Sequence, residues 1–178
     1  TSTVNFGPGE IVANSIVTEL APDGSICVYT TATTDFVLDV AGVIADDAFE
    51  PAITRLLDSR DVGTGLETDS ITSVQVAGRS GVGQDVSAAS RNLVIVNPSS
   101  NGYATLTNCN TATPSLSTVT FRRGQTVANG TVTGLSADGS VCIHTSAKTD
   151  VVLDLNGVFG PEIFTPVERR MLDTRLGA

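Results

Sequence analysis

Asp138 to Gly157 reads DGSVCIHTSAKTDVVLDLNG, and it follows by 115 residues the stretch DGSICVYTTATTDFVLDVAG from Asp23 to Gly42. The same spacing carries Thr3 onto Thr118, Phe6 onto Phe121, Phe49 onto Phe164 and Arg60 onto Arg175 without a gap. Solenoid repeats run about 20 to 50 residues, so a period of this length is a whole module and predicts small domains in tandem. Within each copy an Asp-Gly turn separates β-prone runs and predicts a hairpin. Val127 to Leu135 turns at Ala137-Asp-Gly139 and returns as Val141 to Thr145; Val12 to Leu20 turns at Pro22-Asp-Gly24 and returns as Ile26 to Thr30. Thr149 to Leu155 and Thr34 to Val40 make a third strand ending at Gly157 or Gly42. Thr118 to Phe121 and Thr3 to Phe6 make a short strand ahead of the hairpin.

Asp61 to Ser117 has no copy within the chain. Ser73 to Ala77 alternates like a strand and leads into the glycine-rich loop Gly78 to Gly83. Asn92 to Val96 and Tyr103 to Thr107 flank a longer turn, Asn97-Pro-Ser-Ser-Asn-Gly102, and read as another hairpin. Hydrophobic residues are 40% of the chain and charged residues 16%, a mixture suited to pleated surfaces with one wet face. The fold class is therefore all-β, with antiparallel β-sandwich modules in tandem. A net charge of −9 repels phosphate backbones and argues against nucleic acid. No apolar run approaches the roughly 18 residues of a helical span, so no membrane insertion is expected.

Laid out this way, the chain resembles a family of tandem modules in secreted and cell-surface proteins of actinobacteria and related bacteria. The residues that carry the likeness are Phe164-Thr-Pro-Val167 with Met171-Leu-Asp-Thr-Arg175, the Val76-Ala-Gly78 to Gly81-Val82 loop, Thr118 to Phe121 with Gly124 to Asn129, and Asp138 to Phe159. The likeness spans nearly the whole chain, although Ala41 and Ile44 stand where the second copy has Asn156 and Phe159. It implies a module running from a Phe-x-Pro element to an Asp-x-Asn-Gly-x-Phe element. On that scheme residues 1–48 are the back part of a first module, 49–163 are one complete module and 164–178 open a third. The likeness also implies a secreted or cell-surface, extracellular location; it implies no ligand.

Few residues suggest chemistry. His144 is the only histidine, and its counterpart in the other copy is Tyr29, so the module does not need an imidazole as base or ligand. No nucleophile elbow, zinc-protease or phosphate-loop motif is present, and neither an enzyme nor a cofactor is expected. Asp35 and Asp39, like Asp150 and Asp154, are four apart on a strand and share a face, opposite Phe36 and Leu38 or Val151 and Leu153. One reading makes such a carboxylate pair a calcium site completed by Asp58 or Asp173. The preferred reading pairs them with the arginines of Asp58-x-Arg60 and Asp173-x-Arg175, so that Asp39, Asp58, Arg60, Asp154, Asp173 and Arg175 form structural ion pairs.

Cys27 and Cys142 are repeat equivalents, whereas Cys109 lies in the middle segment. If each module closes its own bridge, Cys109 pairs with Cys142, Cys27 is left unpaired, and the compartment is oxidising. Closing that loop would stabilise by about 3 kcal/mol. The expected function is a non-enzymatic extracellular structural module, repeated as scaffold, stalk or filament, whose partners are neighbouring modules or identical subunits end to end. The alternative is a carbohydrate or cell-wall binding module attached to a secreted enzyme, with Tyr29 and Tyr103 as candidate sugar platforms. The first copy lacks the strands of Ser73 to Thr107, so either a longer tandem polypeptide supplies them, which is preferred, or another molecule does.

Overall fold

The computed structural model describes residues 2–110, 116–167, 169–171, 173 and 174. All its strands lie between Glu50 and Phe159: β1 Glu50–Asp58, β2 Ser70–Gln75, β3 Ala88–Val96, β4 Gly102–Thr107, β5 Val119–Phe121, β6 Thr126–Gly134, β7 Ser140–Thr145 and β8 Asp150–Phe159. They form two antiparallel four-stranded sheets, ordered β1-β8-β3-β6 and β2-β7-β4-β5. The sheets face each other as a β-sandwich, and no α-helix is present among the described residues.

Period-two alternation builds the core. Ala89, Leu93 and Ile95 of β3 and Val151, Leu153 and Leu155 of β8 point inward, against Val74, Ala104, Leu106, Val141 and Ile143 of the other sheet, all buried. Opposite Ser90 and Arg91 the β8 register slips by one residue at Asn156, so Val158 rather than Gly157 continues the inward series. Gly157 itself is closely covered: a Cβ there would overlap the Phe49 ring.

Sheet order departs from the hairpins that the turns predict. The Asp138-Gly139 turn forms, with the Gly139 amide donating to the Ser136 carbonyl at 2.8 Å, but β6 and β7 on its two sides belong to opposite sheets. The same holds for β3 and β4 around Asn97 to Gly102. A turn signature specifies that the chain reverses; whether the two arms pair or arch over to separate sheets depends on where other strands offer partners. Two further strand readings change. β1 is a strand where only a Phe-x-Pro lead-in was expected, and β8 runs through Gly157 to Phe159.

Every strand pairing joins one of β1–β4 to one of β5–β8: β1 with β8, β2 with β7, β3 with β6 and β8, and β4 with β5 and β7. The front half (Phe49 to Ser117) and the back half (Thr118 to Phe159) interleave like two combs. Among the described residues no strand pairs within its own half.

This explains the largest departure from expectation. Thr3–Phe6, Val12–Leu20, Ile26–Thr30 and Thr34–Val40 were expected as strands, yet no strand forms before Glu50 among the described residues. They are copies of β5 to β8, which take every ladder hydrogen bond from a front half, and the only front half among the described residues is already paired with residues 119–159. Residues 2–48 instead follow an extended, turning course, part of which lies over the outer face of the β1-β8-β3-β6 sheet.

Candidate functional site

Three features outside the core have defined geometry: an ion ladder across β1 and β8, a cystine beside β7, and the unpaired first copy. The ladder starts at Asp58, whose side chain is buried at the end of β1. Arg60 grips it with two bonds, Nη2 to Oδ2 at 2.6 Å and Nε to Oδ1 at 2.8 Å. Arg55 donates from Nη1 to Asp58 Oδ2 at 3.1 Å and from Nε to Asp154 Oδ1 at 3.0 Å. The Arg60 side-chain hydrogen bonds come first among the causes that hold the Asp58 carboxyl down at about 2; burial opposes them. Hydrogen bonds to Asp154 likewise raise Arg55 above its ordinary value.

The ion pairs are thus arranged differently from the sequence-based expectation. Asp154 takes its cation from Arg55, which was not singled out, while Arg60 serves Asp58. Asp173 pairs with Arg170 at 2.9 Å; Arg175 lies outside the described residues. Asp39 makes no ion pair among the described residues. Of the carboxylates weighed for calcium, Asp150 accepts the Ser59 hydroxyl at 3.0 Å and Asp35 and Asp39 are exposed. No group of three or more His, Cys, Asp or Glu side chains is placed to hold a metal ion among the described residues. The pattern Arg55-x-x-Asp58-x-Arg60, repeated as Arg170-x-x-Asp173-x-Arg175, was the signal that could have identified Arg55.

Cys109, just beyond β4, is bonded to Cys142 on β7 with Cα atoms 4.9 Å apart, and Cys27 is free and exposed. The Cys109 amide donates to Ser136 Oγ at 2.6 Å, tying the cystine to the Asp138-Gly139 turn. His144 is half-buried on the outer face of β7, its ring 5.9 Å from that of Tyr103, opposite Ile71 and Thr105. Arg91, unremarked in the sequence, is wholly buried on the inward face of β3 and donates to the Thr133 carbonyl at 3.0 Å and to its hydroxyl.

The first copy is not shapeless. It reproduces the local hydrogen bonds of the second copy at the repeat spacing. Asn14 Nδ2 donates to the Thr3 carbonyl at 2.6 Å, as Asn129 Nδ2 does to that of Thr118. Glu10 N donates to Gly7 O at 3.2 Å, as Gln125 N does to Arg122 O at 3.0 Å. Ala21 N donates to Ser25 O at 2.9 Å, matching Ser136 N to Ser140 O at 2.8 Å. Asp23 and Asp138 both sit below the usual carboxylate range because the serine two residues on hydrogen-bonds each of them.

What differs is burial. Phe36, Leu38 and Val28 are 62%, 54% and 50% exposed, whereas their equivalents Val151, Leu153 and Ile143 are fully buried. Val4, Phe6, Ile26, Val40 and Val43 follow the same pattern against Val119, Phe121, Val141, Leu155 and Val158. Part of the copy is docked. Asn14 donates to Asn92 Oδ1 at 3.0 Å and accepts from the Gly130 amide at 2.5 Å, while Asn92 Nδ2 donates to the Ser2 carbonyl at 2.7 Å. Val17, like Val132 and Phe164, packs against the cluster of Phe49, Ala88 and Phe159.

No family model matches the chain, and no curated protein matches it.

Proposed function

We propose that this chain is a non-enzymatic structural protein of the extracellular space, built from β-sandwich modules in tandem and used as a surface scaffold, stalk or filament component. The observation that carries this reading is the recurrence, at the 115-residue spacing, of the same turns, caps and hydrogen bonds in residues 3–30 and 118–145. A repeat preserved down to its local hydrogen bonds is what an array of equivalent domains requires. The Cys109–Cys142 bond supports an oxidising compartment. No helix among the described residues is long and apolar enough to cross a membrane.

The test is dimensional. Polypeptides carrying two, three and four copies of Phe49 to Gly160 joined through the native Pro161 to Ile163 linker should lengthen by a constant increment per copy in small-angle scattering. Arrays that collapse to globules of unchanged maximum dimension would remove the scaffold reading. A glycan-binding reading has one observation in its favour, the exposed Tyr103 beside His144, which lies opposite the exposed Ile71. Retention of the chain on immobilised glycans that is lost with Tyr103→Ala would move the assignment there.

A further inference from the structure

We infer that Thr3 to Ile44 is the docking segment for the front half of another module of this type: a four-strand segment patterned like Phe49 to Ser117, bearing an arginine at the Arg55 position and a cysteine at the Cys109 position. The inference rests on the tandem-module reading and adds the partner and its mode of attachment.

The structure contains the interface it invokes, once, in assembled form. Residues 119–159 pair only with β1–β4, and Thr3 to Ile44 repeats that half in sequence and in local hydrogen bonding. Two side chains lack in the first copy the partner they have in the second. Asp154 takes its cation from Arg55 of the front half, whereas Asp39 makes no ion pair among the described residues. Cys142 is bonded to Cys109 of the front half, whereas Cys27 is free and exposed. Exposed apolar side chains, a carboxylate and a thiol thus occupy, in the first copy, the sequence positions whose equivalents in the second copy are satisfied by the front half. Strand addition of this kind takes its affinity from main-chain hydrogen bonds and its selectivity from alternate side chains.

A second copy of the described residues is a poor occupant, because its front half is already paired with its own residues 119–159. Within the sandwich β1–β4 do not pair with one another among the described residues. Two interleaved combs, each without internal pairing, bind each other in preference to staying alone.

The experiment adds an isotope-labelled polypeptide of the sequence Phe49 to Ser117 to the full chain in a glutathione redox buffer, followed by non-reducing peptide mapping. The expected product is a one-to-one adduct joining labelled Cys109 to Cys27, with the unlabelled Cys109–Cys142 bond retained. Val28→Asp with Leu38→Asp should weaken capture by about tenfold or more, because both side chains would enter the core. The inference fails if labelled Cys109 joins Cys142 instead, or if the chain alone forms Cys27–Cys27 dimers that exclude the probe.

A fused form covers an insoluble probe: Phe49 to Ser117 placed directly ahead of Thr3 should protect Thr3 to Ile44 from hydrogen exchange and bond Cys27 to the added Cys109. A free Cys27 and an unprotected segment in that fusion overturn the inference. Should the fusion fail while the Phe49 to Gly160 arrays still lengthen regularly, the docking inference falls and the scaffold reading stands.

Discussion

Arg55 meets Asp154 across the β1–β8 pair, Nε to Oδ1 at 3.0 Å, and the carboxylate it holds is almost entirely shielded from water, its side chain 1% exposed. Arg55↔Asp154 is also a register partner pair, so one contact couples the ion ladder to the join between the front and back halves. Removing only the cation leaves a buried carboxylate without a counter-charge. We expect Arg55→Met to cost about 2 to 3 kcal/mol, and Arg55→Met with Asp154→Leu to cost less than the single change. Urea unfolding of the three proteins checks it; equal midpoints for wild type and Arg55→Met would show that the ladder is ornamental.

Asp58 sets an acid limit on stability. Its carboxyl is held at about 2 in the folded chain, against about 3.9 when unfolded. The folded value is the lower one, so the stabilisation is fully present above about pH 4 and is lost as pH falls through about 2. Discounted for the half-exposed Arg60, it is on the order of 1 kcal/mol. Denaturation midpoints measured from pH 6 to pH 2 should therefore fall most steeply below pH 4, and Arg60→Met should flatten that part of the curve.

Cys109 and Cys142 close a loop across a sequence separation of 33. Replacing both with serine should lower stability by about 3 to 4 kcal/mol on a chain-entropy estimate, while Cys27→Ser should change it by less than about 0.5 kcal/mol, as at other exposed positions. Thermal melts under oxidising conditions distinguish the two. A Cys27→Ser effect as large as the double change would mean that the first copy is part of the folded unit.

Gly24 and Gly139 adopt the same positive φ, 78° and 77°, in equivalent turns. A Cβ at Gly139 would overlap the Ala77 side chain, whereas at Gly24 nothing lies within 4 Å. Gly139→Ala combines backbone strain with overpacking and should cost more than about 1 kcal/mol. Gly24→Ala strains only a turn outside the sandwich and should leave its unfolding midpoint in place. Chemical denaturation of the pair separates the packing from the strain.

The sequence alone determined the fold class, the repeat, the inward faces of most strands and the existence of the turns, because these rest on local rules: side-chain period, turn chemistry and self-similarity. Val151 and Leu153 are inward because strands alternate, and Gly139 turns because only glycine takes that φ cheaply. Tertiary structure decided which strands pair. The turn residues at Asp138-Gly139 are the same whether the arms form a hairpin or an arch, so the assignment of β6 and β7 to opposite sheets was not legible there. Nor was the choice of Arg55 over Arg60 for Asp154, which depends on the bulged register of β1 against β8. The copies of β5 to β8 in the first repeat show the division most plainly. Their turns and capping bonds form from local sequence alone, but their ladders do not, because each needs a neighbour from a front half that local sequence cannot provide.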